Sequence, residues 1–539
     1  MSYQIKKKTQ HGTYVYLVES YWDKEKRQPR QRSKYIGKED SKTGNVKPVH
    51  KGKLEAKSIS RVLDYGQVTL CREIAKACGL TSALEKAFAP DVAETLFLLA
   101  VFLITEQMPL CSFESWAGGV YHNYTGRKQL WTSKGLSGLL QELGSNAQSR
   151  LKFSKEFIRL NKGNVTGILL DISSISTYSG LDGFASWGYN RDGENIPQVN
   201  VELAVLEPGG IPVTMRITEG SVTDVSTLLN AVKLLKSCGV DMPETVIDRG
   251  YFSGKNLGLL SVAGSKVIIP VPSNCKIFKE AVNSNHRSII KAENAFTVGD
   301  DTMFHLPFET AYDGREYVGH LYLNMTRKSE ETNRLYAELE KTERAFNFNK
   351  PRFKREATSI LWEMLPKTRA RLLKLVQMQD GSWNVQRKPK AIARYANRLG
   401  FMLLLTDNRN KSGQDMLMTY RSRDAVEKLF DNLKNALNND RLRIHSSKAA
   451  EGKIFLALVA MILHVVLQQR LEPSKREFGR RLSPREALLD FRKTKALHLP
   501  DGEFMIYEIS KRQRRILQLL GVKEDVFTSK PHSGKKIPI

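Results

Sequence analysis

Gly167-Ile-Leu-Leu-Asp171-Ile-Ser is a continuous apolar run closed by a carboxylate, the pattern of a strand buried on both faces near the middle of a sheet. Two further stretches, Gln198–Val205 and Pro212–Thr218, alternate apolar and polar positions with period two. Glu207-Pro-Gly-Gly210 between them is a turn signal. From Asp224 to Cys238 the period changes: Val225, Leu228, Leu229, Val232 and Leu235 mark one face of a helix. A short strand at Thr245–Asp248, a helix near Lys255–Val262 and a strand at Lys266–Pro270 follow. The order is strand, strand, strand, helix, strand, helix, strand. It predicts an α/β fold on a mixed sheet, with Asp171 and Asp248 each ending a strand.

Outside this block the pattern differs. Thr13–Tyr21 and Arg32–Ile36 alternate as paired strands would, and the Lys-, Gly- and Pro-bearing stretch Ser41–Lys53 reads as a linker. From about 60 to 160 the spacing is helical, with Asp91 placed to cap a helix through Leu96–Ile104. Residues 276–399 open with polar sequence, pass through strand-like Glu316–Leu323 and become a charged helical stretch. Leu403-Leu-Leu405 resumes the strand type, Asp407–Gly413 is a polar loop, and a long helix begins near 415. Ser483-Pro-Arg-Glu486 is a capping box that opens a C-terminal helix, with another helical stretch at Glu508–Leu520.

These changes of pattern set the expected organisation. A basic β-rich arm occupies 1–60, and a helical domain, a candidate DNA-binding module, occupies 61–160. The core takes 161–275 and 400–475, interrupted by a β-containing insertion at 276–399. A helical region closes the chain at 476–539.

Charge narrows the function. The chain holds 84 Lys and Arg against 57 Asp and Glu, a formal net charge of +27 over 539 residues, which points to a polyanionic partner. Residues 1–53 hold 14 basic and 5 acidic side chains, and residues 352–398 hold 12 and 3. The basic arm reads equally as a DNA grip or as a solvated hairpin. Five cysteines form no C-x-x-C pair, so neither a disulfide framework nor a zinc knuckle is expected, and a reducing compartment is. The apolar runs Leu96–Ile104 and Ile454–Leu467 are shorter than the roughly 18 residues of a membrane span and read as buried helices. With no apolar stretch after Met1, a cytoplasmic protein without membrane association is expected.

Candidate chemistry lies in the carboxylates. Hard divalent cations take oxygen ligands, and paired ions held by acidic residues can clamp the attacking and leaving oxygens of a phosphodiester. Asp171 and Asp248 are two candidates. A third comes from the helix after the insertion, where Tyr420, Arg423, Glu427 and Lys434 fall within roughly 60° of one another at about 100° per residue. Val426, Leu429, Phe430, Leu433 and Leu437 form its adjoining apolar face.

The spacing Tyr-x2-Arg-x3-Glu-x6-Lys, met at Tyr420, Arg423, Glu427 and Lys434, resembles the signature of a large group of bacterial insertion-sequence transposases. The context Val246-Ile-Asp248-Arg-Gly-Tyr-Phe-Ser253 is similar to that of their second Asp. Such members also carry a basic-acidic pair followed by Arg-Pro-Asp-Leu-Pro-Gln. Arg191-Asp192 and Pro197-Gln198 keep the ends of that element here, without the internal Arg-Pro-Asp.

The resemblance implies a DDE enzyme with a ribonuclease H-like core. Asp171, Asp248 and Glu427 would hold two Mg2+ or Mn2+ ions, while Tyr420, Arg423 and Lys434 bind DNA near the scissile bond. The implied reaction is excision of an insertion sequence and strand transfer of its 3′ ends, through a hairpin in many members. Double-stranded DNA is the implied partner, as terminal inverted repeats and target, bound by a homodimer on paired ends in a bacterial cytoplasm. Trp362 or Trp383 in the basic insertion could stack on a displaced base, though core packing is the plainer expectation for both. A metal-dependent endonuclease without strand transfer, or a transposase-derived DNA-binding protein without catalysis, are the alternatives.

Overall fold

The computed structural model describes the chain apart from residues 1, 10–11, 24–27, 40–45, 49–60, 123, 125, 127, 178–184, 187–195, 208, 220–224, 240–243, 432–443, 445, 499–503 and 529–539. It divides into two compact units, residues 1–62 with 497–505 and residues 63–496 with 506–539.

The first unit carries a four-stranded antiparallel sheet in the order β1 (Ser2–Thr9), β2 (Gly12–Asp23), β3 (Gln28–Glu39), β4 (Val46–Pro48). Both strands expected from alternation are present and longer than their patterns. The stretch read as a linker contains β4, which pairs with β3 from Gly37 to Glu39.

In the second unit the strands between residues 167 and 406 build one nine-stranded sheet and a separate hairpin. They are β5 (Gly167–Ser176), β6 (Gln198–Glu207), β7 (Ile211–Glu219), β8 (Glu244–Val246), β9 (Lys266–Pro270), β10 (Ala295–Val298), β11 (Asp301–Tyr312), β12 (Arg315–Asn324) and, after a hairpin that stays apart from this sheet, β13 (Leu373–Gln377) with β14 (Trp383–Arg387), and finally β15 (Phe401–Thr406). The sheet order is β10-β11-β12-β15-β9-β8-β5-β6-β7. β5, β6 and β7 form an antiparallel meander, while β8 lies parallel to both β5 and β9. The turn between β6 and β7 is made by Gly209 and Gly210 at φ 107° and 62°, backbone that side-chain-bearing residues rarely adopt. Gly167 is needed for the close approach of β8, since a Cβ there would meet the Glu244 carbonyl oxygen.

The stretch 276–399 divides in two. Its strands β10–β12 continue the main sheet, β12 pairing antiparallel with β15. The remainder packs a separate small core of Leu335, Leu339, Phe346, Leu361 and Leu373.

Among the helices, α1 (Pro90–Glu106), α2 (Ser133–Ser145) and α3 (Ala147–Asn161) precede the sheet; α4 (Val225–Ser237) and α5 (Gly254–Val262) connect its strands. Asp91 does not cap α1: Ala89 takes that position, Pro90 opens the helix, and Asp91 lies in its first turn. Further on lie α6 (Met325–Asn349), α7 (Lys354–Met364), α8 (Gly413–Arg421), α9 (Arg423–Asp431), α10 (Ser447–Arg470), α11 (Pro484–Phe491) and α12 (Lys511–Leu520). α10 is long and apolar enough to cross a membrane, yet 83% of its most apolar window is buried within the protein, against α2, α1 and β7. The Ser483 capping box is formed, with Pro484 in the first turn of α11. All five cysteines are free thiols.

Candidate active site

β5 does not end at Asp171. Its last five residues pair with β6 as far as Ser176, so the carboxylate sits in mid-strand, 1% exposed. What ends is the parallel partner. β8 pairs Leu169 with Val246 and stops there. Two residues further along each chain, at equivalent positions, stand Asp171 and Asp248. The strand-end signal thus belonged to the ladder between β5 and β8 rather than to β5 itself. Asp248 is held by its backbone neighbours: its Oδ1 accepts from the Arg249 amide at 2.7 Å, capping the short turn Arg249–Tyr251.

The segment expected as one helix through 420–434 is two. α8 closes at Arg421 and α9 opens at Arg423. Between them the Ser422 hydroxyl donates to the Thr419 carbonyl at 2.7 Å and to Glu207 Oε2 at 3.1 Å. Tyr420 therefore belongs to a different helix from Arg423 and Glu427. The apolar face of α9 is as read, with Val426, Leu429 and Phe430 buried. Leu433, Leu437 and Lys434 lie outside the described residues.

Arg423 is the centre of the site. Its side chain is 9% exposed, and it donates from one terminal nitrogen to Asp248 Oδ1 at 2.7 Å and from the other to Glu427 Oε1 at 2.9 Å. Its guanidinium carbon lies 5.8 Å from the Tyr420 ring centroid. Burial alone would lower the Arg423 pKa. The charges of Asp171 and then Asp248 outweigh it, and the group is held above its usual value. Burial pushes the Tyr420 hydroxyl up. Glu427, 54% exposed, is the solvent-facing member of this group.

Three carboxylates from β5, the end of β8 and α9 thus gather about one guanidinium. Their oxygens suit a hard divalent cation. Among the described residues, however, no three His, Cys, Asp or Glu side chains close into a group that could hold a metal ion; between Asp248 and Glu427 the positive charge is supplied by Arg423.

The two tryptophans part company. Trp383, on β14, is half-buried against the small core of 325–399 with Lys354 over its ring. Trp362, on α7, is 57% exposed and faces Lys367.

Two polar clusters beneath α8 had no legible motif. Lys411 pairs with Glu244 and donates to Thr419 Oγ1 at 3.0 Å, while Asn408 donates to Glu244 Oε1 at 3.0 Å. Burial pushes the adjoining Glu207 carboxyl up. On the other side, ring nitrogens of His305 and His320 lie 3.0 Å apart, and the Tyr322 hydroxyl donates to the Gly413 carbonyl at 2.7 Å. Gly413 opens α8 so close to His305 that a Cβ would overlap its ring. The only advance sign of these anchors was the polar loop 407–413. His464 is half-buried in α10, and His445 lies outside the described residues.

Residues 165–463 match the family model described as a transposase DDE domain. No curated protein matches the chain. Among matching solved structures is a cryo-EM structure of a piggyBac transposase synaptic complex with hairpin DNA. It shares 11% identity over 79% of each chain with a TM-score of 0.36.

Proposed function

The chain belongs to the transposase DDE domain family, and from that premise we propose that it excises an insertion sequence and transfers the freed 3′ ends into target DNA. Asp171, Asp248 and Glu427 are the catalytic carboxylates in this reading. The observation that carries it is the register of β5 and β8, which leaves Asp171 and Asp248 each two residues past the last pair, with Asp248 and Glu427 meeting on one guanidinium. The order β7-β6-β5-β8-β9, with β7 and β6 in an antiparallel meander and β8 and β9 parallel to β5, supports a ribonuclease H-like core.

DDE transposases generally use divalent metal ions. Two Mg2+ or Mn2+ ions bound here would supply a Lewis acid to the attacking and leaving oxygens of an in-line displacement. The chain's own groups do the rest. β5 holds Asp171 buried in mid-strand, and the turn that follows β8 holds Asp248. Arg423 ion-pairs with Asp248 and Glu427 and offers a fixed positive charge to a phosphate, and Tyr420 walls the guanidinium on one side. No covalent protein–DNA step is needed. The protein would act as a homodimer on paired element ends in a bacterial cytoplasm.

A supercoiled plasmid carrying the DNA that flanks the coding region, incubated with the protein and Mg2+, tests this. Excised element and joined target products are expected from the wild type. Glu427→Gln should bind the same DNA and cut at least a hundredfold more slowly. Cleavage by that variant at the wild-type rate would remove the catalytic assignment, and nicks without joined products would leave an endonuclease.

A further inference from the structure

We propose that the basic face of the N-terminal sheet is a second contact with DNA, gripping the backbone of a duplex. Alternate residues of a strand share a face. On β3 those residues are Arg30, Arg32 and Lys34, which pair across to Tyr21, Glu19 and Leu17 of β2. On β1, Lys6 and Lys8 pair across to Val15 and Thr13 of β2, which places them on the same side. Five cations from two strands therefore share one surface.

The opposite face is chemically different and satisfied within itself. Tyr35 packs on Tyr14 and Tyr16 with ring centroids 5.9 and 5.2 Å apart. Two cations on that side, Lys7 and Lys38, lie over Tyr16 and Tyr14. On the basic face Lys6 pairs with Glu39, and Arg30 reaches Asp23 only at 3.5 Å. Lys8, Arg32 and Lys34 make no ion pair among the described residues, although Glu19 stands across the ladder from Arg32. The basic helix α12 shows the contrast: Arg512 and Arg514 bond Asp490 and Glu524 at 2.6 and 2.8 Å, and Arg515 reaches Glu477 at 3.4 Å. There each arginine has an acidic partner. On β3, Arg32 and Lys34 have none among the described residues and are left for an external anion.

The geometry selects the anion. Alternate residues of an antiparallel strand are spaced about 6.8 Å apart, so the three β3 cations form a straight row of about 14 Å. One strand of B-DNA carries a phosphate every 3.4 Å or so of helix axis, so a duplex presents about eight charges over a length equal to that of the row. An evenly charged rod meets such a row better than a folded acidic protein surface does. β2 and β3 also continue past the end of β1 as a two-stranded ribbon, paired as far as Asp23 and Gln28. A ribbon of two strands is narrow enough for the major groove. Tyr21 and Trp22 are exposed along it, on the basic and the opposite side respectively.

The choice of duplex DNA as the polyanion rests on the transposase reading; the existence of the cation row does not. The full-length chain and a mixed-sequence duplex test it, with binding followed by fluorescence anisotropy across a salt series. Each phosphate contact adds roughly 0.9 to the slope of log affinity against log salt. The triple variant R30A/R32A/K34A should therefore bind at least tenfold more weakly near physiological salt, with a slope shallower by about two to three. The charge-preserving R30K/R32K/K34R should keep most of the wild-type slope. A triple alanine variant with unchanged slope would overturn the proposal. So would the same loss in the charge-preserving variant, which would mark a folding defect. Wild-type protein that binds with the expected slope yet never cuts would sink the catalytic reading and leave this one standing. Protein that cuts, with the slope insensitive to the triple change, would do the reverse.

Discussion

Arg423 carries two roles that pull in different directions. It neutralises carboxylates that would otherwise repel one another, and it stands where a cation would be welcome. Taking away one partner of a largely buried charge cluster leaves the others uncompensated. Arg423→Gln should therefore lower stability by roughly 2 kcal/mol without divalent ions, and added Mg2+ should recover part of the loss by restoring positive charge. Thermal melts with and without Mg2+ check this, and an identical loss in both conditions would count against it. His305 gives a second prediction at this scale. Burial, and then His320, push its imidazole from 6.5 down to about 4; burial also lowers His320 and His464. The unfolded chain takes up these protons as pH falls through about 6.5, whereas in the folded chain His305 resists until near 4 and His320 and His464 also protonate later than in the unfolded chain. These histidines are thus neutral in the fold at no cost above about pH 6.5 and destabilise it increasingly below. Denaturation near pH 5 should give lower stability than at neutral pH, and His305→Gln should flatten that difference.

Helices α2 and α10 cross where each presents a glycine to the other's backbone. A Cβ on Gly144 would overlap the Lys448 carbonyl, and one on Gly452 the Leu140 carbonyl. No rotamer can relieve a clash with backbone, so Gly452→Ala should cost about 1–3 kcal/mol. Gly138 on the same α2 has nothing within 4 Å of a Cβ, and Gly138→Ala should raise stability by up to about 1 kcal/mol through helix propensity. Melting temperatures of the two variants should move in opposite directions. At this scale the periodicity of α4 and the exact span of β9 were legible, because period-two and period-3.6 burial is written in near neighbours. The break at Ser422 was not. It depends on a hydroxyl that bonds both the preceding turn and Glu207, more than two hundred residues away in the chain.

Taken whole, the second unit is closed by the far end of the chain. Ile516, Leu517, Leu520 and Phe527 are buried there; the Tyr65 hydroxyl donates to the Val526 carbonyl at 2.7 Å, and Phe527 meets Tyr65 edge-on. At about 1.5–3 kcal/mol per large apolar side chain, these four contribute on the order of 6–12 kcal/mol, comparable to the net stability of a domain. A chain ending at residue 505 should accordingly be aggregation-prone and cleaved rapidly by protease within 63–496. Wild-type resistance in that truncation would show the closing segment to be dispensable. The same long reach explains why the stretch 276–399 was only partly legible. Its strand-like residues were visible; that β12 would find β15 and lengthen the main sheet was not.

The sequence by itself determined the strands and helices of the core, the capping box at Ser483, and the three carboxylates as candidates at their positions. Each of these rests on interactions a few residues apart, or on a spacing that a family shares. Tertiary structure alone decided that Asp171 stands buried in mid-strand, and that Arg423 lies between Asp248 and Glu427. It also decided that His305 and His320 meet beneath α8, and that two glycines let α2 and α10 touch. Those contacts join residues far apart in the chain. Which of many possible partners they take is settled only when the sheet order, the strand register and the packing of the helices are settled together.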